Sequence, residues 1–265
     1  MIYQIQDLTF SYPSSDIILD NVSFVINERG SYTILGRNGA GKTTLLKCML
    51  NELTNYKGKI KLSDKNIQTL KEKEIAKLVS YVPQSSDCTF DYTVFEYVLM
   101  GTASNISLFS SPGKKEEELV NIALEKLMIE EFKNRKFNEL SGGEKQKVTI
   151  ARAIVNNPKV ILFDEPCSHL DYKGQLQILS IIKELVDSGF SAVLTTHDPN
   201  HALMLNDKVL LFKNKGKIEL GETKNIITER NLKQVYGIDI KIRYLEEFKR
   251  DYIVYPSLHN KRSKR

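Results

Sequence analysis

Eight consecutive residues carry the first chemical signal. Gly36, Arg37, Asn38, Gly39, Ala40, Gly41, Lys42 and Thr43 fit the pattern G-x-x-x-x-G-K-[ST]. Such a run suits a phosphate. Its glycines let the backbone turn so that several N–H groups face one anion, and a helix beginning at the lysine adds its positive end. In that arrangement Lys42 bridges the β- and γ-phosphates of a nucleotide and Thr43 offers its hydroxyl to Mg²⁺. A strand before the run and a helix after it separate this reading from a chance glycine-rich turn.

A second signal is the apolar run Val160-Ile161-Leu162-Phe163 followed by Asp164-Glu165. Catalytic groups of open α/β sheets gather at the carboxyl ends of strands. Asp164 is placed to hold Mg²⁺ through water. Glu165, directed the other way along the pleat, faces a nucleophilic water as general base. A strand ending in acids is ordinary by itself, and its weight comes from sharing a chain with the phosphate loop. The third signal is Leu140-Ser141-Gly142-Gly143-Glu144. Ser141-x-x-Glu144 reads as a helix capping box. The two glycines are poor helix formers and would also let a phosphate approach the bare N–H groups of a helix start.

The elements that must position these groups alternate as in an α/β fold. Strands are expected at 22–26, 32–35, 78–82, 160–163 and 191–195, and a helix at 42–52 with Leu45, Leu46, Met49 and Leu50 on one side. The runs 209–212 and 217–220 suggest a hairpin around Asn214-Lys215-Gly216. Between Gln84 and Pro158 the period turns helical, with Leu119, Ile122, Ala123, the Lys126 stem and Leu127 on one face. The charge run 114–118 reads as a solvated first turn. Residues 1–84 and 156–230 therefore form an α/β core, 85–155 a helical insertion, and 241–265 a basic tail.

The 265 residues allow one large domain or two modest ones, and 41% hydrophobic with 27% charged residues is ordinary for a globular chain. Collagen-like, disordered and disulfide-scaffold classes are excluded. Cys48, Cys88 and Cys167 are scattered, which fits a reducing, intracellular compartment. No run has the length and apolarity of a membrane span, and no basic-then-apolar leader opens the chain. Net charge is +5, and residues 241–265, with 8 Lys/Arg against 3 Asp/Glu, account for all of it. The simplest expectation is a solvated, frayed terminus, the other a weak attraction to an anionic membrane surface or to RNA. No specific nucleic-acid partner is expected.

Phosphate loop, LSGGE segment and acid-tipped strand, in that order, resemble the nucleotide-binding subunit of an ATP-binding cassette (ABC) transporter over about residues 2–240. The resemblance implies an α/β phosphate-loop NTPase core, mainly a parallel sheet flanked by helices with an antiparallel β portion, and an inserted α-helical subdomain. It implies ATP and Mg²⁺ as cofactors and ATP hydrolysis as the activity. ATP would be held by Tyr12, whose ring would stack on adenine, by residues 36–43 and by Thr44. Mg²⁺ would be held by Thr43, Gln84 and Asp164. Glu165, His197 and Gln84 would be catalytic, with Gln84 also meeting the attacking water and His197 the γ-phosphate. Ser141, Gly142, Gly143 and Glu144 would complete the ATP site of a second copy. Ser168 and Asp171, in Ser168-His169-Leu170-Asp171, would lie in the loop that crosses to that copy, with Asp171 a helix cap, a contact between subunits, or both.

Finer likeness, in 93–101, in Leu108-Phe109-Ser110-Ser111-Pro112 and in 196–202, is to importers of iron chelates, haem, cobalamin or oxyanions such as molybdate. The implied partners are a second copy, an integral membrane permease docked on the 84–112 region and, indirectly, an extracytoplasmic substrate-binding protein. The implied place is the cytoplasmic face of the membrane. Phe95 and Phe109 read as permease contacts or core. Rival readings are a non-transport ABC ATPase, such as an iron–sulfur assembly scaffold, and an exporter cassette. Glu144 stands where Gln is commoner and Cys167 where Thr is usual.

Overall fold

The computed structural model describes residues 1–13, 16–27, 29–85, 88–106, 111–213 and 216–256. The Asn214-Lys215 turn, the segment Leu108-Phe109-Ser110 and the basic run 261–265 lie outside the described residues. In chain order the elements are β1 (Tyr3–Phe10), β2 (Leu19–Ile26), β3 (Gly30–Leu35), α1 (Lys42–Met49), β4 (Lys57–Leu62), β5 (Lys65–Asn66), α2 (Glu72–Ala76) and β6 (Val79–Val82). There follow α3 (Val94–Leu99), α4 (Lys114–Lys126), α5 (Gly142–Ile154), β7 (Val160–Phe163), α6 (Tyr172–Asp187), β8 (Ser191–Thr196) and α7 (Pro199–Leu205). The chain continues with β9 (Lys208–Phe212), β10 (Ile218–Glu222), α8 (Thr223–Ile226), α9 (Glu229–Tyr236), β11 (Lys241–Leu245) and β12 (Arg250–Val254).

Two larger sheets form. One runs in the order β10-β9-β3-β8-β7-β6 and is parallel from β9 to β6. Its middle strands are buried on both faces: every residue of β7 and β8 is buried. That is why their sequences read as continuous runs rather than alternating ones. The other sheet, β2-β1-β4-β5, is antiparallel. Sequence reading missed β1, β4 and β5. In β4, Lys57, Lys59 and Lys61 interrupt the apolar signal, although Ile60 and Leu62 are fully buried.

Between β6 and β7 the described elements are helical, as the change of period predicts. The apolar face of α4 is set one residue away from the predicted one. Val120, Ala123, Leu124 and Leu127 are buried, whereas Ile122 is 53% exposed. Helix α1 also stops early. Leu50 is its C-cap and Asn51 turns into the left-handed region (φ 61°). The chain after residue 240 corrects the expectation of a frayed terminus: β11 and β12 pair as a hairpin over 241–254, with Ile253 buried.

Candidate active site

Parallel strands end on the same edge of their sheet, and the registers here bring four chain segments together. Leu35 of β3 pairs with Thr196 of β8, Phe163 of β7 with Leu194 of β8, and Val82 of β6 with Phe163. The residues that follow these strand ends are the phosphate loop, His197, Asp164-Glu165 and Gln84. The fold thus gathers groups that lie up to 161 positions apart in the sequence.

The loop is tied to β8 by the Gly36 N–H, which donates to the Thr196 carbonyl at 3.3 Å. Gly39 (φ 78°) and Gly41 (φ 104°) sit in the left-handed region, where a side chain is strained. At Gly41 an added Cβ would also come within 2.6 Å of Ile18 Cγ2, whereas at Gly39 it would meet no atom within 4 Å. The loop is therefore packed at its base and open at its tip. Lys42, 5% exposed, donates from Nζ to the carbonyls of Gly36 (3.0 Å) and Arg37 (3.2 Å). A cavity of about 310 Å³ is lined by Asn38, Gly39, Gly41, Lys42, Thr43, Thr44, Gln84 and Glu165. Loop N–H groups, the start of α1 and an ammonium facing one cavity fit a polyphosphate.

Asp164 is 2% exposed and its oxygens are engaged. Oδ1 accepts from Thr43 Oγ1 (3.1 Å) and Thr195 Oγ1 (2.7 Å), and Oδ2 accepts from the Tyr81 hydroxyl (3.3 Å). Burial and the charge of Asp164 push the Tyr81 hydroxyl well above its ordinary pKa, so it stays a donor. Hydroxyl, carboxylate and amide oxygens from Thr43, Asp164 and Gln84 are the hard donors that Mg²⁺ takes.

Glu165 does not simply alternate with Asp164 along the pleat. Its φ of 45° takes it out of the strand. Its N–H donates to Thr195 Oγ1 at 2.8 Å. Oε1 then lies 3.0 Å from Lys42 Nζ and Oε2 3.2 Å from His197 Nδ1. Burial pushes the Glu165 carboxyl up, but the hydrogen bond and charge of Lys42, joined by His197, bring it below the usual carboxylate range. It is therefore an ionised acceptor at neutral pH. His197 has its side chain 52% exposed, and its carbonyl accepts from the Tyr236 hydroxyl at 2.8 Å. A second cavity, of about 320 Å³, lies beside the first and shares Asn38, Gln84 and Glu165 with it. Its wall adds Ser168, Thr195, His197 and the buried His201.

Other predicted residues stand apart. Ser141 to Glu144 line neither cavity. They form the capping box at the start of α5: Glu144 Oε2 accepts from Ser141 N and Oγ, both at 2.7 Å, and Ser141 Oγ accepts from Glu144 N at 3.4 Å. Gly143 is open, with no atom within 4 Å of an added Cβ. Asp171 caps α6, its Oδ1 accepting from Gly174 N at 2.7 Å. Ser168 closes the turn after Glu165 by donating from N and Oγ to the Glu165 carbonyl. Tyr12 is 38% exposed and packs edge-to-face on Phe10 at 5.0 Å. Sequence reading missed Thr195 and Tyr81, which hold the acids. Their only signal is a polar group at the end of a buried strand.

A phosphate-binding loop at the carboxyl edge of a parallel sheet, facing a paired acid, defines a phosphate-loop ATPase. The ABC transporter family matches residues 19–168. An ABC transporter ATP-binding protein of Methanocaldococcus jannaschii is 38% identical over 257 residues, 97% of this chain and 98% of that one. A Helicobacter pylori protein named for iron chelatin transport is 37% identical, covering 91% and 95%. The molybdate import ATP-binding protein MolC of Haemophilus influenzae is 34% identical, covering 92% of each. Among solved structures, a chain of a transporter described as of metal-chelate type, in an inward-facing conformation, superposes with a TM-score of 0.86 at 31% identity over 97% of both chains. A dimeric ATP-binding cassette in a post-hydrolysis state, bound to ADP and phosphate, gives 0.71 at 26% identity, covering 84% of this chain and 99% of that one. The chain belongs to the ABC transporter ATP-binding family and is an ATPase. Among the described residues no helix is long and apolar enough to cross a membrane.

Proposed function

We propose that this chain is the ATP-hydrolysing subunit of an importer for a metal chelate or an oxyanion. It works as a head-to-tail homodimer on the cytoplasmic face of the membrane, beneath a permease fed by an extracytoplasmic substrate-binding protein. Each ATP lies on the phosphate loop of one copy, with Tyr12 at the adenine, and meets Ser141 and Gly143 of the other. Asp164, Thr43 and Gln84 hold Mg²⁺, which supplies positive charge to the phosphate oxygens when bound. Glu165 accepts a proton from the attacking water and His197 faces the γ-phosphate. Closure is a population shift driven by nucleotide that both copies touch, and hydrolysis removes that bridge. Catalysis is then mainly charge positioned in a dry site.

The observation that carries this reading is the split within one chain. The phosphate loop meets Asp164 through Thr43 and Glu165 through Lys42, while the Leu140 to Glu144 turn, with its open Gly143, lines neither cavity. The helical segment 85–155 is the part we assign to coupling. It borders a cavity of about 410 Å³ lined by Tyr81, Pro83, Tyr97, Met100, Arg152 and Asn156 among others, which we assign to the end of a permease helix. The cargo class rests on the relatives named for iron chelatin and molybdate, and no observation favours a scaffold ATPase.

The test is capture. Immobilised Glu165→Gln protein with ATP and Mg²⁺ is exposed to detergent-solubilised membranes and cytosol of the source cell. A polytopic permease that is released when ATP is omitted supports the reading, and its identity narrows the cargo. Soluble partners alone, from an extract shown to contain intact permeases, would refute transport.

A further inference from the structure

The C-terminal segment has no part in the reading above, yet it is built onto the turn that carries His197. Tyr236, the last residue of α9, donates its hydroxyl to the His197 carbonyl at 2.8 Å. In β12 the Ile253 N–H donates to Asn200 Oδ1, in the first turn of α7, at 3.1 Å. The Ile253 side chain is 2% exposed. It belongs to one apolar cluster with Ala202 of α7, Val235 of α9 and Leu35, the last residue before the phosphate loop. Glu229 fastens the hairpin to α9: its carboxylate meets Lys241 Nζ at 2.7 Å, Ile242 N at 3.1 Å and Arg243 at 3.3 Å. Contacts inside the turn do the rest. Thr196 Oγ1 accepts from Asp198 N, and Asp198 Oδ1 accepts from Asn200 N.

We infer that Tyr236, braced by the C-terminal hairpin, is a positioning residue for His197. It fixes the peptide plane from which the imidazole projects towards Glu165 and the γ-phosphate. The inference rests on the assignment of His197 to the reaction. A half-exposed imidazole on a turn loses its alignment unless the backbone beneath it is held, and a misplacement of about 1 Å can cost on the order of 10²-fold in rate. Tyr236 touches a main-chain carbonyl and no reacting atom, so it acts through His197. Burial and the neighbouring Asp198 push its hydroxyl well above the ordinary tyrosine range, which keeps the proton that the carbonyl accepts.

The full chain carrying Tyr236→Phe keeps the ring and loses the hydroxyl. Asn200→Ala removes the second tie independently. Two readouts are needed: steady-state ATP hydrolysis, and the histidine ring signals in NMR, with His197 assigned through His197→Ala. Tyr236→Phe is expected to move the His197 signals, leave those of the buried His201 in place, and lower kcat on the order of tenfold with KM for ATP nearly unchanged. Asn200→Ala shifts the same signals, by less. Unmoved His197 signals in Tyr236→Phe overturn the proposal. So does a full further loss of rate when Tyr236→Phe is added to His197→Ala. Unreduced turnover in His197→Ala alone overturns the assignment of His197 and with it the catalytic consequence. The ring signals tell that failure apart from a failure of positioning.

Discussion

Thr195 links the two acids, and replacing it by valine tests the site's architecture. Its side chain is fully buried, its hydroxyl donating to Asp164 Oδ1 at 2.7 Å and accepting from Glu165 N–H at 2.8 Å. Valine has the same shape and neither bond. A hydrogen bond to an ionised group contributes about 1.5–3 kcal/mol, and a stranded buried N–H costs about 1–3 kcal/mol. The two losses share one neighbourhood and do not simply add, and the new methyl returns about 0.8 kcal/mol. Thr195→Val is therefore expected to lose about 2–4 kcal/mol of stability. Its kcat should fall on the order of 10²-fold, since Asp164 and Glu165 lose a common anchor. Thr195→Ser keeps the hydroxyl, and its loss should be about 1 kcal/mol. Urea unfolding and ATP hydrolysis on the three proteins measure both effects. If valine costs no more than serine, or hydrolyses ATP at the wild-type rate, the Thr195 bridge does not organise the acids.

Four further outcomes follow from the same geometry. Glu165→Gln should retain ATP binding while hydrolysis slows about 10²–10⁴-fold, the range for a lost general base, measured by nucleotide binding and phosphate release. Gly143→Ala should leave the monomer as stable or firmer by about 0.5–1 kcal/mol, because alanine suits a helix better, yet should abolish ATP-dependent dimerisation on a sizing column. The Glu144 carboxyl is held below its usual range by hydrogen bonds from the Ser141 hydroxyl and N–H, with Arg135 assisting. A pKa lowered on folding stabilises above the unfolded value and ceases to do so as pH falls through the folded one. The stability gap between wild type and Glu144→Gln should therefore close below about pH 4 in thermal melts. Burial pushes the thiols of Cys48 and Cys167 up to about 12, so an alkylating reagent at mildly alkaline pH should modify Cys88 first, as peptide mapping would show.

The central sheet was legible because burial on both faces leaves a continuous apolar run, and the acids and His197 stand where such runs stop. Of the antiparallel sheet only β2 was legible. β4 alternates lysine with apolar residues over only six positions, and β1 carries Asp7 at a left-handed φ of 51° where the register shifts. The offset on α4 has a similar origin. Ile122 is apolar but lies beside the face that packs, while Leu119 at its margin is half-buried against the core, and only the neighbouring helices decide between two stripes one residue apart. The hairpin at 241–254 was hidden by charge. Composition reported eight basic residues after 240, whereas the fold depends on Ile253 at alternate spacing and on Glu229, twelve positions before Lys241.

The Leu140 to Glu144 segment supported two readings in sequence, a helix cap and a phosphate approach, and its geometry makes them compatible. The cap occupies Ser141 N, Ser141 Oγ and the N–H of Glu144. It leaves the Cα face of Gly143 open to space. A rigid start to α5 with a bare face is what a ligand held by another copy would require, since a mobile turn would lose ordering entropy on each closure. Ser141→Ala therefore separates the two roles. Loss of the cap costs about 1 kcal/mol, a modest effect on unfolding. If ATP-driven dimerisation of that variant weakens by much more than the corresponding factor of about five, the serine contributes to the nucleotide site beyond holding the helix. A loss of about fivefold or less would assign it to the cap alone.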